Sequence, residues 1–289
     1  MRNFIRNILI IIILILIFIK RPLVILAVIN SLKLWQESIL PSVFPIIIMS
    51  DLILSSNIIN IISKYIGPLF TRIFKVSKYA SYVIIMSFLS GCPTNAKYIK
   101  DLLDNNVIDN NEGIKLLSMS LLYNPILILS ITSYLNYQDS IYLIMANLLA
   151  NLIVGLLNRN YKCNNMSNNF KIKEFNLIAS ISKSIDIVML ILGCIITFAV
   201  LNSILPINHP LLSGILEITN GINGINNINI LYKYKLIFTG ILMGFGGLSI
   251  LTQIKSIFKD TSLDYTLYYK SRIVHILLML GFCYLRINL

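Results

Sequence analysis

Residues 79–103 read YASYVIIMSFLSGCPTNAKYIKDLL. The run from Tyr79 to Leu89 is almost wholly apolar, yet it is too short for a crossing. A helix needs about 20 residues to span a hydrocarbon core about 30 Å thick. The run stops at Ser90-Gly91-Cys92-Pro93 and a helical-looking stretch follows. Gly91 and Pro93 break a helix and leave backbone N–H and C=O groups without internal partners. In a bilayer such groups must line a cavity or meet protein. The pattern predicts a re-entrant hairpin.

The rest of the chain sets this hairpin among crossings. Of 289 residues, 56% are hydrophobic and 12% charged, against about 25% charged in a soluble domain. That excludes an ordinary soluble protein and a disordered one. The expectation is an all-α, polytopic integral membrane protein with about seven to nine crossings or partial crossings. Arg2 and Arg6 precede the apolar run Ile8 to Ile19; Lys20-Arg21-Pro22 follows in place of a small-residue cleavage site, so this reads as an uncleaved helix. A partly amphipathic stretch, Leu23 to Trp35, comes next. Further spans are expected from Ser38 to Ser56, Ile114 to Leu135 (interrupted at Asn124-Pro125), Ile141 to Leu157, Ile185 to Leu205, Leu236 to Ile257 and Arg272 to Leu285.

The second half holds its own interruptions, at Glu217-Ile218-Thr219-Asn220-Gly221 and at Gly244-Phe245-Gly246-Gly247-Leu248-Ser249. Paired Gly/Pro-broken segments in two halves point to a transporter site built from inverted repeats. The expected organisation is N-terminal helices over 1–35, a first repeat over 36–157, a basic linker over 158–183 and a second repeat over 184–289. Connectors 63–78 and 158–183 are basic and no Lys or Arg occurs from Ser184 to Tyr232. The positive-inside rule then places the N-terminus and both basic connectors in the cytoplasm; Lys20, Arg21 and Lys33 fit this poorly.

Several residues at the breaks carry candidate chemistry. Thr94 and Asn95 stand where a helix restarts, and a helix N-terminus presents N–H groups and partial positive charge to an anion. Ser90, Gly91, Pro93 and Thr94 are candidate binding positions, with Lys97 as an added cation or, equally, a residue snorkelling to the interface. Gly246 and Gly247 permit close backbone approach, and Ser249 and Gln253 share one helix face. Asn124 and Asn220 complete the set. Glu217 is the acid expected inside the membrane, where an ionisable group is a functional hypothesis by default. It is the candidate for a coupling H⁺ or Na⁺. Asp51 and Asp186 are weaker candidates.

Other classes find little support. Cys92, Cys163, Cys194 and Cys283 form no CxxC pair, and the only histidines are His209 and His275, so neither a zinc site nor a disulfide framework is expected. His275 reads as structural. No paired-carboxylate, GxSxG or HExxH arrangement appears, so no enzyme, metal or organic cofactor is expected. The net charge of +12 sits in short connectors, which argues against nucleic acid; the partners expected are the lipid bilayer and a small-molecule substrate.

The ordered motifs resemble the sporulation integral membrane protein family YlbJ/SpoVV, which carries nucleoside-recognition gate domains. Leu40-Pro41-Ser42 with Phe44-Pro45 looks like that family's entry to its second span. Ser90–Lys97 is similar to its SG-x-P-x-GAK signature, Glu217–Gly221 to its E-x-T-x-G element, and Phe245–Ile250 with Gln253 to its FGGLSV…Q element. Asn95 stands where the family usually has Gly, and Tyr123-Asn124-Pro125 lacks the family's Gly. The resemblance implies two gate-type repeats, a place in the outer forespore membrane and movement of dipicolinate into the forespore. Alternatives are a nucleoside-type carrier on the same scaffold and a non-transporting membrane scaffold for spore assembly.

Overall fold

The computed structural model describes residues 2–164, 170–172, 174–207 and 209–288, with side chains from Phe4 onward. The side chain of Arg2, and residues 165–169 and Lys173 of the basic linker, lie outside the described residues. Within them the chain is helical and contains no strand. The protein is a polytopic integral membrane protein. Among the described residues, five helical stretches are long and apolar enough to cross a bilayer: Arg21–Leu54, Tyr137–Leu157, Leu177–Ile204, Tyr232–Ile257 and Thr266–Asn288.

The N-terminal apolar run forms α1 (Arg2–Ile19). Pro22 occupies the first turn of α2 (Arg21–Leu34), where its missing N–H costs nothing. No connector separates α2 from α3 (Leu40–Leu54). The polar Trp35–Ile39 stretch continues the helix as a π turn, in which Leu40 N–H donates to Trp35 C=O. The ring of Pro41 would press on the carbonyl of Glu37, four residues back; a widened turn accommodates it.

The basic connector 63–78 is also helical. It holds the end of α4 (Ile58–Tyr65) and all of α5 (Gly67–Phe74), two short amphipathic helices. They bury Ile59, Ser63, Gly67, Phe70 and Phe74, a stripe at helical spacing. α6 (Ala80–Ser90) and α7 (Thr94–Asp104) pack on each other as the hairpin read from the sequence.

The expected span Ile114 to Leu135 is not one helix. α8 (Asn110–Ser118) is capped by the Asp109 carboxylate, which accepts from Glu112 N–H at 2.7 Å. Residues 119–124 are non-helical, and α9 (Pro125–Ile131) restarts with Asn124 as its cap. α10 (Tyr137–Leu157) and α11 (Leu177–Ile204) are uninterrupted.

In the second half α12 (Pro210–Leu216) and α13 (Ile218–Asn227) pack closely on each other, broken at Glu217. α14 (Tyr232–Phe245) and α15 (Gly247–Ile257) are broken at Gly246, and α16 (Thr266–Asn288) ends the described chain. A packed pair, a broken helix and an intact helix thus follow in the same order twice: α6/α7, α8/α9, α10, then α12/α13, α14/α15, α16. One core links the two series, from Tyr82 and Tyr98 to Met243 and Met279; a smaller one joins α3 to α11 through Val43, Ile47, Ile187 and Ile191.

Candidate functional site

Four helix breaks meet in the interior. At the first, Gly91 adopts φ +82°, a left-handed value that only glycine takes without strain. A Cβ there would lie 2.5 Å from the Asn124 nitrogen. Cys92 N–H donates to Leu122 C=O at 2.6 Å, and Asn124 Nδ2 donates to Leu89 C=O at 2.9 Å. The first break is therefore sewn to the second by one backbone–backbone bond and by the Asn124 side-chain amide on a carbonyl left over at the end of α6.

The second break meets the fourth. Tyr123 Oη donates to Met243 C=O at 2.9 Å, and Gly246, at φ +90°, lies against the Leu121 side chain. The fourth meets the third: a Cβ on Gly247 would sit 3.3 Å from both Gly214 C=O and Ile218 N. Glycine at 246 and 247 thus serves a turn and a backbone–backbone approach.

Between the breaks lies a small, partly enclosed cavity of ≈ 50 Å³, lined by Ser90, Cys92, Pro93, Tyr123, Asn124, Glu217, Thr219 and Gln253, with apolar walls from Val43 and Ile191. One water needs about 10–15 Å³ of such space, so the cavity holds a few waters and no metabolite-sized ligand. Glu217 caps α13: its Oε2 accepts from Asn220 N–H at 2.9 Å and from the Thr219 hydroxyl. Asn220 contributes this backbone contact rather than its amide. Gln253 Nε2 donates to Ser249 Oγ at 3.1 Å, and both side chains are buried.

Ser90 and Thr94 share a hydrogen bond of 2.5 Å; Tyr98 Oη donates to Ser90 Oγ at 2.8 Å and Thr94 Oγ1 to Gly91 C=O at 2.5 Å. Asn124 lines the cavity with its polar atoms already engaged. Its Oδ1 accepts from Ile126 and Leu127 N–H, while its Nδ2 holds Leu89 C=O. Its amide fastens helix ends.

Lys97 lies elsewhere. Its ammonium donates to Ser50 Oγ at 2.7 Å, pairs with Asp51, and is 2.9 Å from the Asp101 carboxylate. Lys183 pairs with Asp101 at 2.6 Å, and Ser180 Oγ donates to Asp51 Oδ2 at 2.7 Å. This cluster ties α3, α7 and α11 together. Asp51 belongs to it, and Asp186 lines an adjacent cleft with Lys97 and Lys183. No Lys, Arg or His is among the cavity's described lining residues.

Sequence reasoning missed Cys92, Tyr123 and Thr219 as lining residues, and Arg272 altogether. Arg272, 4% exposed, donates through its second terminal nitrogen to Ser118 C=O at 2.5 Å and lies 3.0 Å from His275 Nδ1. His275 Nδ1 is in turn 3.2 Å from Gly244 C=O. The pair thus holds the ends of α8 and α14 just before each breaks. The signal was a cation inside an apolar run, which is costly in lipid unless it meets carbonyls or a counter-charge. Among the described residues no group of three or more His, Cys, Asp and Glu could hold a metal ion.

Compared with curated proteins, the chain is 24% identical to the sporulation integral membrane protein YlbJ of Bacillus subtilis (strain 168), over 85% of this chain and 73% of the relative. The likeness to that protein extends over most of this chain. No family model matches, and no solved structure matches. The YlbJ-like chain thus couples a sequence relationship spanning most of its length to a membrane fold centred on helix breaks.

Proposed function

We propose that this YlbJ-like chain is a membrane carrier for a small polar metabolite, acting in sporulation, with two inverted gate-type repeats moving around the central cavity. The observation that carries the reading is one cavity lined by three helix breaks, at Ser90–Pro93, Tyr123-Asn124 and Glu217, and by Gln253 of the helix that follows the fourth, with Glu217 the one acid among its described lining residues. Broken helices of this kind form midplane sites in secondary transporters, and rocking of one repeat against the other exposes the site to alternate sides. With ≈ 50 Å³ of space, the cavity is too small for a metabolite as it stands, and in this reading loading requires the hairpins α6/α7 and α12/α13 to part.

The end that carries α4, α5 and the Lys97 cluster is cytoplasmic in this reading. Lys20 then lies on the opposite side, where its ammonium donates to Ile204 C=O at the far end of α11. That placement gives Lys20 a partner in spite of the charge rule.

Dipicolinate, moved from mother cell to forespore across the outer forespore membrane, is the substrate the family resemblance favours. A dianion entering a cavity that offers Glu217 and no cation needs Glu217 neutral, so its carriage is coupled to a proton. The same charge pattern favours a second reading, a carrier for an uncharged nucleoside-like ring held by Gln253, Thr219 and Glu217. Reconstitution in liposomes with labelled dipicolinate tests both. Saturable uptake that resists nucleosides and rises with an inward proton gradient supports the first. Inhibition by nucleosides supports the second. Absence of uptake of either ligand by inserted, folded protein favours the scaffold role.

A further inference from the structure

We infer that the α4–α5 pair forms a binding site for the phosphate headgroup of an anionic phospholipid. The two helices enclose an open cavity of ≈ 840 Å³, whose lining includes Asn60, Ser63, Lys64, Thr71, Arg72 and Lys78. Three of these are cations, and no carboxylate is among the described lining residues. The sequence holds no acid between Asp51 and Asp101; across the fold, Glu112 accepts from Ser77 N–H beside Lys78, so the recognition rests on Lys64 and Arg72.

A second observation points to a ligand. Ser63 is among the lining residues and is 1% exposed, and its buried hydroxyl has no hydrogen-bond partner. A buried hydroxyl normally finds one. A phosphate oxygen would supply an acceptor for Ser63, with charge-assisted bonds from Lys64 and Arg72. Thr71 adds a second hydroxyl, which donates to Gly67 C=O at 3.1 Å and retains acceptor capacity only; the cations and Ser63 therefore carry the recognition.

The surroundings favour a lipid over a soluble phosphate. Tyr65 is 74% exposed, and Ile61 and Leu69 stand out beside the cations on the same two helices. Apolar residues beside basic ones on short amphipathic helices suit the boundary between headgroups and acyl chains. Basic pockets at membrane helices on the cytoplasmic side take anionic headgroups, and the site lies at the basic end of the protein. It is separate from the central cavity and stands whether or not that cavity transports anything.

Native mass spectrometry of the full-length protein, titrated with phosphatidylglycerol and separately with phosphatidylcholine, tests the site. The wild type should retain phosphatidylglycerol preferentially. The Lys64→Gln/Arg72→Gln variant should bind one such lipid about tenfold more weakly or worse. The exchange Lys64→Arg/Arg72→Lys, which keeps both charges, should retain it. Equal retention of the two lipids by the wild type would overturn the proposal without any variant. So would unchanged phosphatidylglycerol binding in the neutral variant, or displacement of the lipid by millimolar inorganic phosphate.

Discussion

Lys97 and Asp101 stand one helical turn apart on α7, and the Lys97 ammonium is 2.9 Å from the Asp101 carboxylate while also pairing with Asp51 of α3. The lysine is 1% exposed and Asp101 is nearly as buried. A buried cation between two carboxylates is satisfied by them, so Lys97 is a structural tie here. Removing one member of such a set leaves an uncompensated charge, at a cost of about 3 kcal/mol. Lys97→Gln should therefore lower the unfolding temperature in detergent markedly. Adding Asp51→Asn should restore part of the loss, since the two effects are not additive for residues in contact. If Lys97→Gln unfolds at the wild-type temperature and only uptake is lost, Lys97 serves the substrate instead.

Gly91 tests the join between the first two breaks. Alanine there meets both a positive φ and the Asn124 nitrogen at 2.5 Å. Strained backbone of this kind costs about 1–3 kcal/mol before the clash is counted. Gly91→Ala should destabilise the protein and abolish uptake. Gly281→Ala, on α16 with nothing within 4 Å of the added carbon, should leave both unchanged or slightly improved. Comparable melting curves for the two variants would overturn this reading of the break.

Glu217 carries the coupling prediction. Glu217→Gln keeps a cap acceptor for Asn220 N–H and a side chain of the same shape, and removes the titrating group. Uptake in proteoliposomes should persist at a reduced rate and lose its response to an imposed proton gradient. A variant that still responds to the gradient places the proton elsewhere.

Glu112 gives a pH dependence outside the spans. Burial pushes its carboxyl up from 4.5 to about 7, against the lowering effect of the Ser77 N–H that it accepts. A raised acid binds its proton more tightly when folded. Its contribution is complete below 4.5 and is lost as pH rises through about 7. The loss across that window is about 3 kcal/mol at 1.36 kcal/mol per pKa unit. Unfolding temperatures of the wild type should fall between pH 5 and about pH 8 by this route, and Glu112→Gln should flatten the fall. A parallel fall in the variant assigns the pH dependence to other groups.

The hairpin at Ser90–Pro93 was legible because glycine and proline act locally: a positive φ and a missing N–H interrupt a helix whatever surrounds it. The breaks at Glu217 and Gly246 were legible for related reasons. Trp35–Ile39 was misread as a boundary because its residues are polar; Trp35 Nε1 instead donates to Val188 C=O, 153 residues away. α4 and α5 were hidden under their charges, although the stripe Ile59, Ser63, Phe70, Phe74 was present in the sequence. Lys97 lay one turn from a carboxylate that the sequence displayed, Asp101, but Asp51 reaches it from 46 residues upstream. Arg272 meets a carbonyl of α8 and His275 lies against one of α14; neither leaves a trace in local composition.

The 34 residues from Arg21 to Leu54 make one rod about 51 Å long, well beyond a core of about 30 Å. Its first length leans on α11, and its second also touches α6 and α7. The π turn between them carries one extra residue per turn, so the two lengths are rotated out of the phase that a plain helix would impose. A displacement of the α6/α7 hairpin is then felt as torque at Trp35–Ile39, with Trp35 anchored on Val188 as the fixed point.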